Sequence, residues 1–390
     1  MPPHFGVFLS VRDQGTAIVK IQTLGMATAM LLTGQVCAQT APQLDLVDAA
    51  VEPLMEQGHF PGMAVAVLRQ GEPVHIGSYG LASIEHQVPV TRETVFELAS
   101  LTKHMTALAV LTLAEDGQVS LDDPVVDYLP DDAPEAWSAI TIDQLLANTG
   151  GLTHRFETRP NGEFLLNYST EDMLASAMAT EMAARPGEDW VYSDQGYFLL
   201  GLVIERVTGQ SYGDYLQDRF FRPLGMDQTA MLDQSAIVPH RAEGYAWSEA
   251  DGLQRNRRVW QFGLTSHFGV TASLDDVMVW EAALSGSETI NAGALAATAE
   301  IQRPFDTGET CDSWGYARGW MAYHRDGRTL VSHGGYAGTA YVRDLTTGLS
   351  VIVLTNREDS QEALSPMAIA WAAAHAVDEE LPEGGPRCWE

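Results

Sequence analysis

Residues Glu97 to Leu108 read ELASLTKHMTAL, and the fold turns on how this stretch is understood. Leu98, Leu101, Met105 and Leu108, continued by Leu111 and Leu113, recur at helical spacing. They predict a helix that runs to about Asp116 and stops at Gly117. An apolar helix start has little use for a lysine. Ser100 and Lys103 stand three residues apart, on one helical face, where the amine can reach the hydroxyl. The plain alternative is a serine N-cap and a lysine extended to solvent. The rest of the chain has to decide between them.

Upstream, GMAVAVLRQGEPVHIGSYGLA (Gly62 to Ala82) holds two β-rich runs around Gln70-Gly71-Glu72-Pro73, which predicts a hairpin. Residues from about 121 to 284 read as mostly helical, including Ile142–Ala147, Thr170–Ala184 and Gly196–Thr208. After Trp314 the text returns to strands. WGYARGWMAYH, RTLVSHGG, GTAYVRDL and LSVIVLTN are separated by short turns, and a last helix covers about 361–376. Strands from both chain ends with helices between them predict an α/β (α+β) protein. Its antiparallel sheet is built from both ends and flanked by helices, with a mostly helical second domain inserted at about 121–284.

The 390 residues are 45% hydrophobic and 19% charged, enough for one large globular domain or two intimate ones. The net charge of −30 repels phosphate backbones and anionic lipid, which argues against nucleic-acid binding. At the N-terminus, Arg12 and Lys20 precede the apolar run LGMATAMLLTG, followed by Val36-Cys37-Ala38. The pattern predicts a signal peptide over residues 1–38, cleaved after Ala38, and a periplasmic or secreted protein of residues 39–390. The run is short for a bilayer span, so no stable membrane insertion is expected. Cleavage there removes Cys37 and leaves Cys311 and Cys388, an even pair that an oxidising compartment allows to bridge. No metal-ligand spacing is present, and neither a metal nor an organic cofactor is implied. The oligomeric state stays open.

Two motifs compete for the nucleophile. Gly209-Gln210-Ser211-Tyr212-Gly213 fits G-x-S-x-G, which requires a strand before it and a helix after it. Here LLGLVIERVT precedes it at helical spacing, so Gly209 reads as a helix C′ residue and Ser211 as the next N-cap, with Asp214 three residues on. The alternative set is spread along the chain: Ser100-Leu101-Thr102-Lys103, then Tyr192-Ser193-Asp194, then Ser332-His333-Gly334-Gly335 at a strand end. Serine is a weak nucleophile near neutrality and needs an adjacent proton acceptor. A lysine on the same helical face can serve where burial lowers its pKa.

Order and spacing of these elements resemble the serine hydrolases related to class C β-lactamases and D,D-peptidases, a penicillin-binding-protein-like group. The likeness covers about Pro61 to Arg357. It extends to FELASLTK, LLANTGGL, PGEDWVYSDQGYFLLGLVIERVTGQSY, RPLGM and VIVLTNR. It implies a β-lactamase/transpeptidase-like fold with the site where sheet and helical domain meet. It also implies Ser100 as nucleophile, Lys103 and Tyr192 as catalytic partners, and the backbone N–H groups of Ser100 and Tyr336 as oxyanion hole. Which of Lys103 and Tyr192 takes the serine proton stays open.

Asp194, His333, Gly334 and Gly335 fall on the substrate-binding positions, and two of them depart from the β-lactamase pattern. Asp194 stands where Y-x-N has asparagine, and His333 where K-T-G has lysine. Ionised aspartate cannot donate to an acylamide, and an ordinary histidine is mostly neutral at pH 7. The expected activity is therefore ester hydrolysis. Small peptides or amides follow, including D-configured ones, then β-lactams or D,D-carboxypeptidase substrates. A non-catalytic penicillin-binding-like sensor is the rival of a different class. The intact Ser100, Lys103 and Tyr192 argue against it.

Overall fold

Strand β1 (Gly62–Arg69) sits between two apolar layers. Met63, Val65 and Val67 belong to one core, while Ala64, Ala66 and Leu68 belong to the other. Alternate side chains of a strand face opposite ways, so a strand covered on both faces is apolar without interruption. The structure, a computed structural model, describes residues 41–154, 167–256, 261–306 and 311–388. The expected leader, its cleavage point after Ala38 and Cys37 lie outside them.

The hairpin forms as expected. Its turn is Gln70-Gly71, both at positive φ, and Glu72 and Pro73 already belong to β2 (Glu72–Ser83). Strand β3 (Val88–Pro89) follows. The later chain supplies β4 (Arg303–Pro304), β5 (Ser313–Tyr316), β6 (Met321–Arg325), β7 (Arg328–Gly335), β8 (Thr339–Asp344) and β9 (Leu349–Thr355). Across the sheet the order is β4-β5-β6-β7-β8-β9-β1-β2-β3. The two chain ends meet where β1 pairs antiparallel with β9, Val65 opposite Val353.

Five helices position the site: α1 (Ala41–Gln57), α2 (Thr102–Glu115), α3 (Asp194–Thr208), α4 (Leu274–Leu284) and α5 (Pro366–Val377). Helices α1 and α5 pack together on one face of the sheet. On the other face, every residue of α2 from Thr102 to Leu113 is buried, which makes it the central helix. The middle of the chain carries the expected helices, although the one from Thr170 ends at Ala179, where Thr180 turns extended. It also holds short strands, and Val270–Ser273 pairs with both Val95–Glu97 and Ala230–Met231. Helix α4 packs on β1 and β9, so the end of that stretch serves the sheet. Buried Glu281 on α4 accepts from Arg343 Nε at 2.7 Å, from Tyr341 and from Ser350, which fastens the helix to β8 and β9.

Gly209 is left-handed at φ 70° and Ser211 Oγ accepts from Asp214 N at 3.1 Å, so the G-x-S-x-G stretch is a helix end followed by a cap. Cys311 and Cys388 form a disulfide with Cα atoms 5.1 Å apart. It ties the approach to β5 to the C-terminal tail. Among the described residues, no helix is long and apolar enough to cross a membrane.

Candidate active site

Both plain readings of the opening stretch fail. Ala99–Leu101 forms one tight turn leading into α2, and the cap positions fall on Leu98 and Leu101. Ser100 caps nothing. Ala99 just before it has φ 48°, a conformation non-glycine residues seldom adopt and one found at functional turns. Lys103 is fully buried. Its Nζ donates to Asp194 Oδ1 at 2.6 Å, to the His267 carbonyl at 2.8 Å and to Ser100 Oγ at 3.3 Å. Three acceptors for three N–H groups is the environment of an ammonium ion.

Tyr192 reaches the same place from the start of α3. Asn148 holds this segment: its carbonyl accepts from Val191 N at 2.9 Å and its Oδ1 from Ser193 N at 3.0 Å. Ser193 then caps α3, accepting from Gly196 N at 2.9 Å. Tyr192 stands beside the lysine, with Lys103 Nζ 4.8 Å from its ring centre. Burial, then the Asp194 charge, push the Tyr192 phenol well above its usual range. Asp194 is the first residue of α3, where the helix dipole favours an anion. Burial disfavours its charge, but the charge and hydrogen bond of Lys103 outweigh this and lower its pKa. Its second oxygen faces His154 Nδ1 at 3.6 Å.

His333 lies buried on β7. Its Nδ1 donates to the Gly334 carbonyl at 2.7 Å, which leaves Nε2 to face the Tyr316 hydroxyl at 3.4 Å. Burial, and next the Lys103 charge, lower its pKa to about 4, so the ring is neutral near pH 7. A Cβ on Gly335 would overlap the Leu98 carbonyl oxygen and the Thr339 hydroxyl, so only glycine lets this strand end lie against the Ser100 turn. Thr339 Oγ1 secures that contact by donating to the Leu98 carbonyl at 2.9 Å. Gly334 has room for a Cβ and is not required by packing. Tyr336 follows directly. Its carbonyl accepts from Asp359 N at 2.8 Å and its hydroxyl donates to Glu358 at 3.1 Å.

A cleft of about 730 Å³ has Glu97, Arg241, Ala337, Asn356 and Glu358 among its walls, but neither Ser100 nor Lys103, Tyr192, Asp194 or His333 lines it. Trp190, Tyr316 and His154 surround Tyr192 with ring centres 5.3 to 6.5 Å away. No cluster able to hold a metal occurs among the described residues. Thus Ser100, Lys103, Tyr192, Asp194 and His333 converge, and Ser211 stands apart at a helix cap. Sequence reasoning did not single out Asn148, His154 or the His267 carbonyl. Of these, only Asn148 carried a signal, in the LLANTGGL text.

The fold defines the class, that of the β-lactamase-fold serine hydrolases. Residues 47–376 match the family model described as Beta-lactamase, and the chain belongs to that family. It is 33% identical over 202 residues to Protein flp of Staphylococcus aureus (strain MW2), an alignment covering 51% of this chain and 40% of that protein. Less than half of that relative's length is therefore spanned. Penicillin-binding protein 4* of Bacillus subtilis (strain 168) is 29% identical over 349 residues, covering 84% of this chain and 74% of it. The structure is similar to an octameric penicillin-binding protein homologue from Pyrococcus abyssi. The TM-score is 0.73 at 25% identity, covering 85% of this chain and 76% of that one.

Proposed function

We propose that the chain is an esterase that forms an acyl-enzyme at Ser100. One observation carries this reading: Ser100 Oγ lies 3.3 Å from Lys103 Nζ, which itself stands 4.8 Å from the Tyr192 ring centre, at a turn against which the Gly335 backbone packs. In this reading Oγ attacks the substrate carbonyl as its proton passes to the Lys103–Tyr192 pair, which has first given up one proton to solvent. The N–H groups of Ser100 and Tyr336 receive the oxyanion, a contribution of ~3–4 kcal/mol per donor in enzymes of known mechanism. The pair then delivers the proton to the leaving group, and water releases the acyl group by the same steps in reverse. Neutral His333 offers no charge to a substrate carboxylate, which favours neutral esters over carboxylate-bearing β-lactams and D,D-peptides. Amides with a free amine are the second reading, supported by the partly exposed carboxylate of Asp194. Export to an oxidising compartment is part of the proposal, supported by the Cys311–Cys388 disulfide.

The test joins a substrate panel to active-site labelling. p-Nitrophenyl esters are expected to outrun D- and L-aminoacyl nitroanilides and nitrocefin. A fluorophosphonate should add to Ser100, Ser100→Ala should abolish labelling, and Ser211→Ala should leave turnover nearly intact. Label found on Ser211, or surviving in Ser100→Ala, refutes the assignment.

A further inference from the structure

Asp194 gives this cluster one more negative charge than an asparagine would, and the charge falls on the lysine. Its Oδ1 lies 2.6 Å from Lys103 Nζ, inside a pocket where the lysine is fully buried. Removing a buried ammonium's proton while a carboxylate faces it leaves that carboxylate unpaired, which is costly. Creating a tyrosinate at Tyr192 instead sets a second anion beside the first. Either way Asp194 resists loss of a proton from the Lys103–Tyr192 pair. Neighbouring groups do not relieve this. His267 and His333 are both neutral through burial, with pKa values lowered to about 3 and about 4. Tyr197 and Tyr316 carry no charge, because burial raises their phenols. His154, half-exposed, faces the other oxygen of Asp194 at 3.6 Å.

We propose that Asp194 is a positioning residue that holds Lys103 as an ammonium, so that the Ser100–Lys103–Tyr192 cluster must shed one proton before the serine attacks. The enzyme is then poised for alkaline pH. This rests on the acyl-enzyme reading above and adds the condition under which it operates. The proton inventory closes. The resting cluster is serine hydroxyl, lysine ammonium, tyrosine phenol and aspartate carboxylate. One proton leaves to solvent from the lysine–tyrosine pair. The Ser100 O–H bond then breaks towards that pair as Oγ bonds the carbonyl carbon. The same proton later goes to the departing alkoxide as its bond to carbon breaks, and the pair is restored.

The experiment follows the rate of fluorophosphonate labelling of the full chain from about pH 5 to pH 10, in wild type and in Asp194→Asn. This readout does not depend on the natural substrate. The wild-type rate is expected to rise with a midpoint on the alkaline side of neutrality. In Asp194→Asn the midpoint should fall by at least ~1 pH unit, and labelling well below it should be roughly tenfold faster. A side chain needed only for shape would change amplitude and leave the midpoint in place. Coincident midpoints, or a midpoint raised in the variant, overturn the proposal. Should Asp194→Asn fail to fold, the wild-type curve still decides, because a midpoint at or below about pH 6 contradicts a carboxylate-locked ammonium. Label on a residue other than Ser100 defeats the acyl-enzyme reading instead, a separate and recognisable result.

Discussion

Gly335→Ala is the sharpest test of how the sheet builds the site. The added Cβ would meet the Leu98 carbonyl oxygen and the Thr339 hydroxyl and stand 3.3 Å from Ala99 Cβ. The first two contacts fall about 1 Å short of an ordinary C···O separation of ~3.3 Å. Leu98 cannot retreat readily, since its N–H is bonded to the Val270 carbonyl at 2.9 Å and its side chain is buried in the main core. The end of β7 must therefore move away from the Ser100 turn by a distance of order 1 Å, carrying the Tyr336 N–H with it. Overpacking of this kind costs ~1–3 kcal/mol of stability, which a domain of this size survives. Misplacing an oxyanion donor by ~1 Å costs far more in rate, about 10²-fold or more in kcat. The assay is kcat and KM on a neutral p-nitrophenyl ester beside a thermal melt. A folded Gly335→Ala variant with wild-type kcat would refute the claim that this strand end supplies the oxyanion hole. Gly334→Ala, which meets only ordinary contacts at 3.6 and 3.9 Å, is the control for backbone substitution itself.

The disulfide closes a loop across a sequence separation of 77, so reduction should remove about 4 kcal/mol of stability in the chain-entropy account. Thiol titration of denatured, unreduced protein should find neither Cys311 nor Cys388 free; two reactive thiols from these positions would refute the bridge. Stability should also fall on acidification. His333 and His267 are neutral when folded, with pKa values lowered to about 4 and about 3, whereas the unfolded chain takes up their protons near pH 6.5. Between those limits the unfolded state binds more protons, so each pH unit below ~6.5 costs up to about 1.4 kcal/mol per histidine. Melting temperature followed from pH 7 down to about pH 4 checks this, and a flat profile would mean that the rings are not held neutral.

What could be read from the sequence was what short-range chemistry dictates. The β-rich runs either side of Gln70-Gly71-Glu72-Pro73, the apolar stripe after Ser100 and the meander from Trp314 all rest on residues within one turn or one strand of each other. The same held for Ser100 and Lys103, three residues apart, and for Gly209 and Ser211, whose capping chemistry excluded the rival nucleophile. Resemblance added Tyr192 and the Gly335 strand end, but not what surrounds them. The tertiary structure alone decided that Lys103 meets Asp194, 91 residues away, and the His267 carbonyl, 164 residues away. It likewise brought Asn148 beneath Tyr192, turned both ring nitrogens of His333 inward, and set Cys311 against Cys388. The reason is physical. Helix periodicity and caps are written locally, but the charge state of a buried amine depends on which acceptors from other segments fill its three directions. That choice exists only once the sheet, α2 and α3 have packed together.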